Sequence, residues 1–117
     1  MSGAGKDALY ELCRSLPGVT EDVKWGDNLV FSVGLKMFAV FDLPAGAPFS
    51  FKVDPDAFAL LTQQPGIRPA PYLAKHSWVA VDSRDRLPQE VVEDLLQEAH
   101  GIVAAKLPKR LREKLGI

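Results

Sequence analysis

Histidine, cysteine, serine and clustered acid are the side chains from which small proteins build catalytic and metal sites, and here none falls at a productive spacing. The two histidines, His76 and His100, form neither an HxH nor an HExxH pattern, so no paired imidazoles are offered to a transition metal. Cys13 is the only cysteine, which excludes an internal disulfide and a Cys-clustered zinc site. It lies in an apolar stripe, where a thiol is inert. Gly3-Ala4-Gly5-Lys6 lacks P-loop spacing and follows no strand. No GxSxG elbow occurs, and Ser15, Ser32, Ser50, Ser77 and Ser83 have no triad context. Glu90, Glu93, Asp94 and Glu98 read as a solvated helix face whose charges favour the helix N-terminus. The expectation is a non-enzymatic protein with no metal and no cofactor.

Cations remain. Lys36 and Lys52 fall within or at the edge of β-type segments, where lysine is a poor occupant unless the face is exposed; guarding an edge against aggregation is the alternative role. His76 lies in a proline-rich loop, either solvent-facing or touching an anion. Trp25 and Trp78 are the large aromatics; core packing is the first reading for both and a ligand wall the second. Charge is also uneven. Residues 1–105 hold nine Lys/Arg against fourteen Asp/Glu, whereas 106–117 hold Lys106, Lys109, Arg110, Arg112 and Lys114 against Glu113 alone. Such a segment would touch an anionic partner or simply complement its own helix dipole.

The chain bounds these options. Its 117 residues, 47% of them hydrophobic and with a net charge of −1, suffice for one packed domain spanning 1–117. No apolar run approaches the roughly 20 residues of a membrane helix, and the first residues lack the apolar core of a signal peptide. A cytoplasmic protein is expected, with no membrane partner; the oligomeric state is not legible.

The elements that must position the cations follow from periodicity. Leu9, Leu12, Cys13 and Leu16 line one face of a first helix, which Pro17-Gly18 ends. Two alternating segments, 29–33 and 36–41, flank Gly34 and predict a hairpin with Met37, Ala39 and Phe41 on one face. A third strand covers 49–53. Asp54-Pro55-Asp56 caps and opens a short helix whose buried side is Phe58, Leu60 and Leu61. Residues 65–76 are too proline-rich for a helix or central strand, and Ser77 to Val81 is a fourth strand. A long helix after Pro88 buries Val91, Val92, Leu95, Leu96, Ala99, Ile102 and Val103, with His100 favoured late in it by the dipole. A basic helix follows at about 108–115. The order α-β-β-β-α-β-α-α implies an α+β two-layer sandwich: an antiparallel sheet with helices on one face and the other face wet.

Six pieces of the chain, in order, resemble the MmcQ/YjbR family. They are Leu16-Pro17-Gly18-Val19, Lys24-Trp25-Gly26, Val33-Gly34-Leu35-Lys36-Met37-Phe38, Phe51-Lys52-Val53-Asp54-Pro55, Pro71-Tyr72-Leu73-Ala74-Lys75-His76-Ser77-Trp78-Val79 and Lys106-Leu107-Pro108-Lys109-Arg110. The resemblance implies a fold similar to that of bacterial frataxin (CyaY-like), a double-wing arrangement, and DNA binding.

Two functions stand against each other. In one, Lys36, Lys52, Lys75, His76, Lys106, Lys109 and Arg110 contact DNA phosphates through the sheet and the basic tail, weakly and in a salt-dependent way. In the other, Trp25, Tyr72, Trp78 and the 65–76 loop wall a pocket for a small anionic ligand or a protein, with Lys36, Lys52 or His76 holding the charge. Iron delivery would rest on fold likeness alone.

Overall fold

The apolar stripe of the first segment becomes helix α1 (Ser2–Ser15), with Leu9 and Cys13 buried against the sheet. The computed structural model describes residues 2–42, 48–71, 73–83 and 86–117, with side chains from residue 8 onward except that of Ala74. Strands β1 (Val19–Lys24), β2 (Asn28–Val33), β3 (Lys36–Asp42) and β4 (Phe49–Lys52) follow, then α2 (Pro55–Leu61), β5 (Ile67–Pro69), a 3-10 turn at Ala74–His76 and β6 (Trp78–Val81). Helices α3 (Gln89–Ala105) and α4 (Lys109–Leu115) complete the chain. The six strands form one antiparallel sheet in the order β1-β2-β3-β4-β6-β5.

Register explains the core. Leu29, Phe41, Phe49, Val81 and Ile67 form one row across the sheet, and Phe31, Ala39, Phe51 and Val79 form the next. Strand residues two apart share a face, so both rows point to the helices, and all nine side chains are buried. Phe41 stacks on Phe49 at 5.4 Å, and Tyr10 of α1 meets Phe41 edge-on at 5.2 Å. Each such ring removed from water contributes about 1.5–3 kcal/mol. From above, α3 buries Val92, Leu96, Ala99, His100 and Val103. Helix α4 docks through Leu111 onto Gly34, beside Leu107 of the α3–α4 connection, and through Leu115 onto Gly18. The expected α+β layers are therefore present, and Asp54 caps α2, its Oδ1 accepting from the Ala57 N–H at 2.8 Å.

Several expectations need correction. Two strands were not legible. Val19–Lys24 is an edge strand exposed along nearly all its length, so it shows no hydrophobic alternation. Ile67–Pro69 lies on the other edge, where proline is tolerated because its missing N–H faces no neighbour. Leu60 is 67% exposed rather than buried, and Val91 also lies outside the buried stripe. Trp25 is not core: it occupies the β1–β2 turn, 67% exposed and at positive φ. His100 does more than complement a dipole. It is 8% exposed, its Nε2 donates to the Pro17 carbonyl at 2.8 Å, and Phe38 meets its ring edge-on at 5.5 Å.

The hairpin also departs from strict alternation. A bulge between Phe31 and Ser32 pairs Ser32 with Met37 but Phe31 with Ala39. Phe38 is the extra residue and turns into the core, whereas Met37 moves to the opposite face from Ala39 and Phe41. There it joins Trp78, Ala80, Ala70, Val40 and Leu73 in a second, smaller apolar cluster. The face expected to be wet is therefore partly covered by the chain between β5 and β6.

Candidate anion-binding site

Antiparallel pairing gathers three strand ends. Lys36 opens β3, Lys52 closes β4, and Trp78 opens β6 directly across from Lys52. The end of α3 brings Lys106 to the same place, followed by Leu107 and Pro108. The 3-10 turn adds Lys75 and His76. Ser77, at φ 61°, makes the corner from that turn into β6, and its carbonyl accepts from the Val53 N–H at 2.9 Å. A non-glycine residue held in that region marks backbone strain of a kind that concentrates at functional sites.

Between these elements lies a cavity of about 580 Å³. Its cations are Lys36, Lys52 and Lys106, with the His76 imidazole on the same wall. Its apolar wall is formed by Met37, Leu73, Trp78, Val103 and Leu107. A second hollow of about 340 Å³ shares Lys52, His76 and Lys106 with the first and adds Lys75. Among the described residues Asp54 is the one carboxylate lining either hollow; it lies on the smaller one and caps α2.

The electrostatics are one-sided. Among the described residues, the ion pairs are Arg14 with Glu11 and Glu21, Arg86 with Asp82, and Lys109 with Glu113; none neutralises Lys36, Lys52, Lys75 or Lys106. Lys52 Nζ donates to the His76 carbonyl, which fixes the ammonium at the junction of the two hollows. Partial burial, and secondarily the charge of Lys106, hold the Lys52 pKa below the usual lysine value. Both causes disfavour the charged form, and an arriving anion would favour it and so act against them. By contrast, a hollow of about 110 Å³ over β1 and β2 is lined by Glu21 and Asp22 as well as Lys24.

Five of the seven phosphate-contact candidates singled out from the sequence thus meet: Lys36, Lys52, Lys75, His76 and Lys106. Lys109 and Arg110 lie just beyond Pro108, exposed on α4 and lining neither hollow; Lys109 is 4.0 Å from Glu113. Of the aromatic wall, Trp78 is in place, Trp25 lines neither hollow, and Tyr72 lies outside the described residues. Leu73 lies in the 65–76 loop expected to wall a pocket, whereas sequence reasoning missed Met37, Val103 and Leu107. Each reads as ordinary core, and only the bulge and the docking of α4 bring them beside the lysines. Cys13 is fully buried, and burial pushes its thiol up to about 12, only partly offset by Arg14, so it is no nucleophile. No three His, Cys, Asp or Glu side chains cluster as a metal site among the described residues, and no described helix is long and apolar enough to cross a membrane.

Fold and site together define an α+β protein with an unpaired basic pocket at one end of an antiparallel sheet. Residues 14–102 match the YjbR family model, and the chain belongs to that family. A crystal structure of the Deinococcus radiodurans protein DR2400, described as carrying a DUF419 domain, superposes with a TM-score of 0.83 at 33% identity, covering 96% of this chain and 88% of that one. A protein from Pseudomonas syringae shares the fold at a TM-score of 0.67 and 18% identity, over 84% of this chain and 97% of that one. No curated protein matches significantly.

Proposed function

We propose that this chain is a non-catalytic binding protein for phosphate-bearing polyanions, with DNA as the partner class and the basic end of the sheet as the contact surface. The observation that carries the reading is the convergence of Lys36, Lys52, Lys75, His76 and Lys106, drawn from β3, β4, the 3-10 turn and the end of α3, with no carboxylate paired to any of the four lysines among the described residues. Lys109 and Arg110 extend the surface along α4. Ammonium groups on phosphates position a nucleic acid without reading its bases. With a net charge of −1, the chain as a whole adds no long-range attraction, so binding is modest and falls steeply with salt. Fluorescence anisotropy with a labelled duplex at 25 to 200 mM salt tests it: binding that weakens as salt rises supports the reading, and none at low salt by folded protein overturns it. The concave, apolar-walled shape of the site favours a second reading, a discrete small anion as ligand.

A further inference from the structure

We infer that the basic cavity is a seat for a terminal phosphomonoester whose organic part bears an aromatic ring, as in a nucleotide or a 5′-phosphorylated strand end, held in preference to an internal backbone phosphate. This deepens the polyanion reading and rests on the same cations. The two hollows share Lys52, His76 and Lys106, and at that junction the phosphate sits. A phosphomonoester brings a charge of about −1.5 to −2 and three acceptor oxygens to one point, whereas an internal diester brings a single charge. Three lysines around one cavity, with no ion-pair partner among the described residues, match the former. Lys52 spends one of its three donors on the His76 carbonyl and keeps two for a ligand.

The rest of the cavity argues for the ring. Phosphate ribbons need no apolar wall, yet here Met37, Leu73, Trp78 and Leu107 line the larger hollow. Its volume of about 580 Å³ falls within the range of small-ligand sites, roughly 300–1,000 Å³. Phosphate at the shared cations and ring against the apolar wall use both parts of the site together.

Calorimetry on the full chain with adenosine 5′-monophosphate, adenosine and inorganic phosphate separates the contributions. Covering about 55 Å² of apolar ligand surface corresponds to about 1.4 kcal/mol, or tenfold in affinity. The nucleotide is therefore expected to bind one per chain and at least about tenfold tighter than inorganic phosphate. Met37→Trp, which fills the apolar side and leaves every lysine in place, should remove that margin while its melting curve shows a folded protein. A second arm compares single-stranded oligonucleotides with and without a 5′-phosphate: tighter binding of the phosphorylated strand identifies strand ends as a source, and tight nucleotide binding without that difference identifies free nucleotide. Inorganic phosphate binding as tightly as the nucleotide, with no effect of the 5′-phosphate, overturns the inference. If oligonucleotides then still bind in a salt-dependent way, the polyanion reading survives alone; if nothing anionic binds the folded chain, both fall.

Discussion

Replacing Lys106 by glutamine is the sharpest probe of the basic surface, because Lys106 lines both hollows and is exposed at the end of α3. Its removal costs little packing and leaves the strands untouched. Four lysines without acidic partners among the described residues surround the site: Lys36, Lys52, Lys75 and Lys106. If each neutralises one phosphate of a duplex, log K against log salt should have a slope of about −3.6, and about −2.8 for a single strand. Between 50 and 200 mM salt, duplex affinity then falls about 150-fold. Lys106→Gln should bring the slope to about −2.7 and that loss to about 40-fold. Lys24→Gln is the control. Lys24 ends edge strand β1, which sits at the other side of the sheet, and it lines neither basic hollow. Anisotropy titrations at five or six salt concentrations measure all three slopes. Equal slopes for Lys106→Gln and the parent, or a control that falls as far as Lys106→Gln, would show that the duplex is held elsewhere and refute the argument.

Four further outcomes follow from the packing and charges. Gly34→Ala places a Cβ at positive φ only 2.7 Å from Leu107 Cδ1, and should cost about 2–4 kcal/mol, or about 10 °C in melting temperature, by thermal denaturation. His100→Phe keeps a ring against Phe38 but leaves the Pro17 carbonyl without its donor, costing about 1–2 kcal/mol in urea unfolding. Arg14, chiefly by hydrogen bonding, holds the Glu21 carboxyl below its usual value, so this pair stabilises above the ordinary glutamate range and its contribution disappears as pH falls through the lower folded value; Glu21→Gln should flatten that part of a stability–pH curve. Lys52→Met removes a half-buried ammonium repelled by Lys106, and should raise the melting temperature slightly while lowering affinity for anions severalfold.

What was legible in the chain tracks how strongly one face of each element is buried. Helices α1 and α3 and strands β2 to β4 bury continuous apolar rows, so their periods are visible. Edge strands do not: β1 holds its place through backbone pairing and the Arg14–Glu21 bridge, and β5 through three residues ending in Pro69. The lysines were visible because a cation in a strand is conspicuous. The apolar half of the site was not, because Met37 changes face at a bulge that leaves no mark in local composition. Val103 and Leu107 join the apolar wall only through tertiary docking. Trp25 was misleading for a related reason: a large aromatic next to glycine reads as core, yet it occupies a hairpin turn at positive φ, with its ring in solvent.

The remaining question is why a chain of nearly balanced charge leaves this end unbalanced. Carboxylates are plentiful, with fifteen in the sequence, and Arg14, Arg86 and Lys109 all find one. Among the described residues the lysines around the two hollows do not, although Asp54 lies on the wall of the smaller one, where its Oδ1 accepts from the Ala57 N–H. Lys52 is held in place by a neutral carbonyl, which orients the ammonium without cancelling its charge. Repulsion between Lys52 and Lys106 therefore persists in the free protein, where acidic neighbours would have removed it. Relief of that repulsion is available to any dianion that enters, so part of the binding energy is set by the fold before the ligand arrives. An edge-guarding role accounts for one lysine on an outer strand. It does not account for Lys36 and Lys52 on the interior strands β3 and β4, facing Lys106 across an apolar-walled cavity.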